Sequence, residues 1–186
     1  MRLRVIAGEF RSRLLKSVPG LDTRPTPDRL RETLFNVLTP VIEGAVFVDA
    51  YAGTGAVGIE ALSRGAKRAV FVERSRGAVE VIRDNLAALG IADRAEVFTG
   101  KALPVLERVT ADIVFLDPPY ALVKEYRESL EILGESGAGL VIVQHAYRQD
   151  LFEDYGTLHR TRTLRQGDNV LSFYSPAIAE SDDTLL

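Results

Sequence analysis

Val46-Phe47-Val48-Asp49-Ala50-Tyr51-Ala52-Gly53-Thr54-Gly55-Ala56-Val57-Gly58 reads as a buried strand, a glycine-rich turn and the start of a helix that continues through Ile59, Glu60, Ala61 and Leu62. A strand delivered into a helix by a tight turn is the opening unit of an α/β fold with a parallel sheet. Gly53-x-Gly55-x-x-Gly58 also satisfies the spacing of the dinucleotide fingerprint, which brings a nicotinamide or flavin enzyme into consideration. Charge argues against that reading. In the fingerprint the glycines follow the strand at once, and a pyrophosphate rests on the helix N-terminus. Here Asp49 closes the strand and three residues intervene before Gly53. A carboxylate repels a pyrophosphate but attracts a sulfonium or an α-ammonium. S-adenosylmethionine carries both cations and no phosphate, so it is the cofactor this turn fits. Asp49, Ala50, Gly53 and Gly55 are its expected contacts. The next strand-like run, 69–72, ends at Glu73, which is placed to accept from two ribose hydroxyls of either cofactor.

Asp117-Pro118-Pro119-Tyr120 follows the apolar run 113–116 and so stands at the carboxyl end of another strand, where open α/β sheets place their chemistry. These residue types suit methylation of a planar exocyclic amino group. Such a nitrogen is a poor nucleophile, because its lone pair is delocalised into the ring. Two acceptors aimed at its N–H bonds favour a pyramidal nitrogen whose lone pair faces an electrophile. Asp117 offers a carboxylate, and Pro118 offers a carbonyl held extended by the proline that follows. Neither Pro118 nor Pro119 has an N–H. Tyr120 adds a face on which a base can stack. Taken alone, the same four residues read equally as a rigid turn in which Asp117 caps the next segment.

With both segments placed, the chain resembles the RsmD family of bacterial rRNA methyltransferases. The resemblance runs from about Arg4 to Tyr174 and includes three further stretches. These are Arg4-Val5-Ile6-Ala7-Gly8, Thr23-Arg24-Pro25-Thr26-Pro27-Asp28-Arg29-Leu30-Arg31-Glu32-Thr33-Leu34-Phe35-Asn36 and Gly167-Asp168-Asn169-Val170-Leu171-Ser172-Phe173-Tyr174. The turn and the D-P-P-Y corner are shared by many amino-methyltransferases, whereas the long threonine-arginine-proline segment is specific to this family. The resemblance implies a class I, Rossmann-like S-adenosylmethionine-dependent methyltransferase with a seven-stranded, mostly parallel sheet and a small N-terminal β-hairpin that grips RNA. It implies methyl transfer to the 2-amino group of a guanine in small-subunit (16S) rRNA, naked or in an assembling ribosomal particle. Asp117, Pro118, Pro119 and Tyr120 form the implied catalytic set. In the family an acidic residue after the third strand stands near the cofactor's adenine; here Thr99-Gly100-Lys101-Ala102-Leu103 offers lysine or glycine, and that role falls on no residue.

Formal net charge is −3 over 186 residues, which by itself disfavours a polyanionic partner. The distribution says otherwise. Residues 1–31 carry eight bases (Arg2, Arg4, Arg11, Arg13, Lys16, Arg24, Arg29, Arg31) against three acids (Glu9, Asp22, Asp28), a local +5 that leaves −8 on the rest. A basic arm on an acidic body points to localised phosphate contact through Arg2, Arg4, Arg11, Arg13, Lys16 and Arg24; a solvated hairpin face is the plainer alternative. Arg29 and Arg31 are open to RNA or cofactor contact, and Arg31 equally to a helical pair with Asp28 or Glu32. The chain has no cysteine and two histidines, so neither a disulfide framework nor a zinc site is expected. No apolar run is long enough for a membrane span and no secretory pattern opens the chain, which predicts a cytoplasmic monomer without metal.

One domain is expected over 1–176: a hairpin arm (1–22) with strands 4–7 and 13–16, a capping-helix segment (23–40) and a core (45–176), followed by a disordered tail (177–186). Thr26 reads as a helix cap with Pro27 in the first position, an apolar stripe of Leu30, Leu34, Val37 and Leu38, and a stop at Pro40. Five strands (46–48, 69–72, 95–98, 113–116, 140–143) alternate with helices, one of them 75–89 closed by Gly90. A final hairpin (157–164, 170–174) turns at Gln166-Gly167-Asp168. His145 is expected to be structural. Adenine-N6 or cytosine-N4 methylation, a nicotinamide dehydrogenase and a non-catalytic RNA-binding protein on the same fold are the competing readings.

Overall fold

Eight strands build one sheet: β1 (Val46–Asp49), β2 (Arg68–Glu73), β3 (Ala95–Thr99), β4 (Ile113–Leu116), β5 (Leu140–Ala146), β6 (Asp154–Tyr155), β7 (Leu158–Gln166) and β8 (Asn169–Pro176). The computed structural model describes residues 3–18 and 27–177; Arg2, Arg24, Thr26, the Pro19-Gly20 end of the arm and the tail from 178 lie outside them. The strand order is β3-β2-β1-β4-β5-β8-β7-β6. The first five strands in that order run parallel, and β8, β7 and β6 continue antiparallel. The expectation of seven strands is corrected to eight. The extra strand, β6, is two residues long and pairs only with Leu158 and His159 of β7. Such a segment is too short to carry the alternation by which a strand is read from sequence.

Alternation of side chains sends successive residues of each strand to opposite faces. On one face Val48, Val114, Leu116, Val141 and Val143 meet Leu106 of α4 (Leu103–Leu106) and Tyr126, Leu130 and Leu133 of α5 (Val123–Ser136). On the other, Phe47, Ile113, Phe115 and Ile142 meet Leu30, Leu34, Phe35 and Leu38 of α1 (Asp28–Leu38) and Val57 and Ala61 of α2 (Ala56–Ser63). That face continues through Ala69 and Phe71 to Ile82 and Leu86 of α3 (Arg76–Leu89). Each Val, Leu, Ile or Phe among them contributes ~1.5–3 kcal/mol on burial, so the sheet is a rigid platform for whatever stands at its ends. The Ser75 hydroxyl caps α3, accepting from the Ala78 N–H at 3.4 Å, and Gly90 closes the helix in a left-handed conformation. Pro27 stands at the cap position of α1, not inside it: its ψ of 139° is extended, so the helix begins at Asp28.

The arm pairs with itself as a short hairpin: the Val5 N–H donates to the Arg13 carbonyl (3.0 Å), the Ser12 N–H to the Val5 carbonyl (2.9 Å) and the Leu15 N–H to the Leu3 carbonyl (2.9 Å). Arg4 and Leu14 make the only β-bridge among its described residues, and Val5 and Leu15 are buried. Its backbone is fixed to α2 and α3 as well. The buried Glu60 carboxylate accepts from the N–H groups of Ile6 (2.8 Å) and Ala7 (3.0 Å), and Asn85 Oδ1 accepts from Lys16 N (2.8 Å). Gly8 packs on the end of α2 so closely that a Cβ there would lie 1.9 Å from the Ser63 carbonyl oxygen. His145 is core structure, as expected. Its Nδ1–H donates to the Ala146 carbonyl (2.9 Å) and its Nε2 accepts from the Ser172 hydroxyl (2.9 Å), while burial holds its pKa down.

Candidate active site

Register brings three acids to one edge. Asp49 at the end of β1 pairs with Phe71 of β2 on one side and Phe115 of β4 on the other. Glu73 lies two residues past Phe71 and Asp117 two past Phe115, so the carboxyl ends of three adjacent strands carry Glu73, Asp49 and Asp117 in that order. From β1 the chain moves outward through β2 and β3, then returns to β4 on the other side of β1. That reversal opens a crevice where connections leave in opposite directions, the usual ligand position in such sheets.

The glycine-rich turn is organised by its acids. Asp49 is only 1% exposed and its Oδ2 accepts from the Gly58 N–H of α2 at 3.0 Å. Burial pushes this carboxyl up to about 7; the Gly58 bond pulls it down, and the charge of Glu73 adds to the rise. Glu73 bridges the two loops, with Oε2 accepting from Gly53 N (2.9 Å) and Oε1 from Ser75 N (2.7 Å). Gly58 is required by packing, since a Cβ would lie 2.3 Å from the Phe71 ring. Gly53 is different. It has a left-handed φ of 53°, and a Cβ built there would meet nothing within 4 Å, so the turn presents open backbone on that side. Ala50 is buried and its N–H donates to Phe115 O (3.1 Å), joining the turn to β4. The Tyr51 hydroxyl bonds Ser129 Oγ of α5 at 3.0 Å.

The corner after β4 is more open. Asp117 is half-buried, Pro118 buried, and Pro119 and Tyr120 exposed. Its shape is held from outside. The Tyr126 hydroxyl of α5 donates to the Pro118 carbonyl at 2.9 Å, and the Tyr120 hydroxyl donates to Asn169 Oδ1 at the start of β8, at 2.8 Å. Burial first, and then the charge of Asp117, raise the Tyr126 pKa, so its hydroxyl stays a donor. The carbonyl assigned to a substrate amino group thus already accepts one hydrogen bond, and a carbonyl oxygen has a second lone pair to offer.

Of the six cationic positions expected to contact RNA, the four described ones lie on the arm against α2 and α3, not at this edge. Arg2 and Arg24 lie outside the described residues; Arg4, Arg11, Arg13 and Lys16 are exposed on the docked arm. Arg13 reaches the Ala88 carbonyl (3.3 Å) and Lys16 pairs with Asp84 (2.8 Å), both on α3. Arg31 is buried, donating to the Arg4 carbonyl (2.7 Å) and Asp28 (3.0 Å); burial lowers its pKa, opposed by Glu60 and Asp28. Of the two pairings open to it, Asp28 is the one formed. Lys101 is exposed beyond β3. Sequence reasoning missed Tyr126, Asn169, Glu60 and the Tyr51–Ser129 pair. Tyr51, Glu60 and Asn169 lie inside the strand–turn–helix and Gly167–Tyr174 stretches that carried signal, whereas Tyr126 and Ser129 lie in neither. Among the described residues no His, Cys, Asp or Glu side chains gather as a metal site, and no helix is long and apolar enough to cross a membrane.

Residues 3–175 match the family described as conserved hypothetical protein 95. The chain is 34% identical over 186 residues to the candidate rRNA methyltransferase YlbH of Bacillus subtilis, covering 92% of this chain and 98% of that one. It is 43% identical over 121 residues to ribosomal RNA small subunit methyltransferase D of Escherichia coli, covering 64% of this chain and 61% of the other. Among solved structures, the candidate methyltransferase YhhF of Escherichia coli superposes with a TM-score of 0.82 at 35% identity, over 95% of this chain and 98% of that one.

Proposed function

This chain belongs to the RsmD-like family described as conserved hypothetical protein 95, and from that premise we propose that it methylates the exocyclic 2-amino group of a guanine in small-subunit rRNA, using S-adenosylmethionine. One observation carries the reading: the Asp117-Pro118-Pro119-Tyr120 corner stands directly beside the glycine-rich turn, on the strands flanking the point where the sheet order reverses.

The open side of Gly53, with no atom within 4 Å of a built Cβ, gives room for a ligand to lie against the backbone, and the Glu73 oxygens keep lone pairs for ribose hydroxyls. The residues present therefore fit the cofactor: Gly53, Gly55 and Glu73 would hold it, with Asp49 and Ala50 setting the loop beneath. When bound, S-adenosylmethionine supplies an electrophilic methyl on a sulfonium and departs as a neutral thioether. Asp117 and the second lone pair of the Pro118 carbonyl accept the two amino N–H bonds and turn the nitrogen lone pair outward. Tyr120 offers a ring for the guanine, and Asn169 fixes that ring by its hydroxyl. Asp117 also stands where it can take up the proton shed by the nitrogen. The contribution of these groups is orientation and preorganised acceptors, with no covalent enzyme intermediate. A paired guanine is out of reach of such a corner, so the target is looped or flipped out.

The test is nucleoside mass spectrometry of rRNA from cells with and without the gene, joined to transfer of labelled methyl onto small-subunit rRNA and onto assembling particles. The expected product is N2-methylguanosine. Recovery of N6-methyladenosine instead would move the chemistry to another base, and thermal stabilisation by NAD but not by S-adenosylhomocysteine would reject it altogether.

A further inference from the structure

We propose that Tyr147, with Arg165 stacked on it, is a second nucleotide platform beside the corner, taking a base that flanks the target in a single-stranded stretch of RNA. This rests on the methyltransferase reading above and extends its substrate contacts to a part of the chain far from the basic arm.

The placement follows from topology. Because β8 runs antiparallel to β5, Ala146 at the end of β5 faces Asn169 at the start of β8. The β7–β8 turn is thereby brought to the edge that carries Asp49 and Asp117. Two tyrosines are tied to neighbouring residues of this turn: the Tyr120 hydroxyl donates to Asn169 Oδ1 (2.8 Å), and the Tyr147 backbone N–H donates to the Asp168 carbonyl (2.9 Å). Both rings remain open, at 48% and 56% exposure. Burial is therefore not what places them there. The Arg165 guanidinium lies 3.4 Å from the centre of the Tyr147 ring, and its Nε donates to the Gly167 carbonyl at 2.9 Å. That bond fixes the guanidinium in orientation, leaving its terminal nitrogens for a phosphate and its plane for stacking.

Charge is mixed here, and the mixture is ordered. Glu153 and Asp154 are drawn to Arg160 and His159 near the opposite end of β7. Arg148, Arg165 and Asp168, in or next to the paired segments at the turn, are all exposed. A net cationic field is weak, so stacking carries the contact and phosphate attraction assists it. Every base has a π-face, so a tyrosine beside the target ring suits a flanking nucleotide of an unpaired loop, whose bases are splayed apart.

The test uses the full chain and a stem-loop transcript carrying the guanine mapped by mass spectrometry, with binding read by fluorescence anisotropy in the presence of S-adenosylhomocysteine. Tyr147→Ala is expected to weaken RNA binding roughly 5- to 100-fold, the range of one lost stacking contact, with S-adenosylhomocysteine affinity and thermal stability unchanged. Tyr147→Trp restores binding. An abasic nucleotide at one position flanking the guanine weakens wild type by a similar factor and adds nothing further in Tyr147→Ala. Wild-type affinity in Tyr147→Ala, or full additivity with every abasic position, overturns the platform. If that happens while wild type still methylates the transcript, the enzymatic reading stands and only the platform falls. If wild type neither binds nor methylates any RNA, both fall.

Discussion

The turn after β1 and the corner after β4 stand on adjacent strands, yet their polar groups face opposite ways. In the turn, Asp49 and Glu73 point their oxygens at the protein's own backbone, at Gly58, Gly53 and Ser75. In the corner, the shape comes from two hydroxyls, Tyr126 of α5 donating to the Pro118 carbonyl and Tyr120 donating to Asn169 of β8, and the surface is half open. One region is a self-supporting scaffold with an open backbone face at Gly53; the other is a set of acceptors held by distant anchors. Damage to the first should therefore register in stability and cofactor affinity, and damage to the second in the rate of methyl transfer.

The largest effect should come from the corner. Asp117→Ala removes one of two acceptors on the reacting amino group, so single-turnover methyl transfer should fall on the order of 10²–10³-fold, about 2.7–4 kcal/mol, by analogy with removing one oxyanion-hole donor. Cofactor affinity, measured in parallel by calorimetry, should hold. Asp117→Asn should lose less, because its amide oxygen still accepts. Wild-type transfer in Asp117→Ala would reduce the corner to a turn and erase the contrast.

Next comes the pH dependence of the turn. The Asp49 carboxyl is raised to about 7 in the folded protein, from 3.8, chiefly by burial. A folded pKa above the unfolded one gives stability that is complete below pH 3.8 and lost as pH rises toward 7. Denaturant melts should show wild type losing stability across that window relative to Asp49→Asn, and no further difference above it. A cationic cofactor prefers the ionised carboxyl, so its affinity should fall about tenfold for each pH unit below 7 in wild type, and not in Asp49→Asn. Parallel pH profiles for the two proteins would show that Asp49 serves the loop alone.

Why these two regions differ in legibility is physical. Strands 46–48 and 113–116 were readable because apolar runs end abruptly in Asp49 and Asp117, and glycine and proline fix the turns locally. The internal bonding of Asp49 was not, because a carboxylate beside a glycine-rich turn serves a ligand or a helix N–H equally well until the helix is placed. Glu60 was invisible as an anchor because its partners, Ile6 and Ala7, lie more than 50 residues away. Tyr126 sits on the apolar stripe of α5 with Leu130 and Leu133, where its ring explains its presence and its hydroxyl leaves no mark. β6 is too short to have a pattern at all.

The arm tests whether the scaffold extends to RNA. Arg4 and Arg11 are exposed, whereas Arg13 and Lys16 are engaged with α3. Reversing Arg4 and Arg11 to Glu should weaken RNA binding roughly tenfold at low salt and flatten its salt dependence, with the melting temperature and cofactor affinity near wild type. Arg13→Glu should lower the melting temperature as well. Equal losses of RNA and cofactor binding in the Arg4 and Arg11 variant would make the whole arm a structural strap.

The smallest effect, and the sharpest probe of the comparison, is expected at Tyr126. Its ring is fully buried on α5 and only its hydroxyl reaches the site, donating to the Pro118 carbonyl at 2.9 Å. Tyr126→Phe keeps the ring and removes that one bond, a change of about 0.5–1.5 kcal/mol in stability. If the bond serves to hold the carbonyl where an amino group needs it, methyl transfer at saturating RNA should fall about two- to tenfold while the KM for RNA and the affinity for cofactor hold. Loosening the carbonyl also changes what Asp117→Ala removes, so the double variant should be less impaired than the product of the two singles, as expected when two residues act on one atom. Should Tyr126→Phe instead react faster, the phenol competes with the substrate for the carbonyl, and the corner's anchor is a restraint on catalysis, not a support. Multiplicative effects with Asp117→Ala would place Tyr126 in the scaffold with Asp49 and Glu73, and the division between the two regions would then run through α5 rather than between β1 and β4.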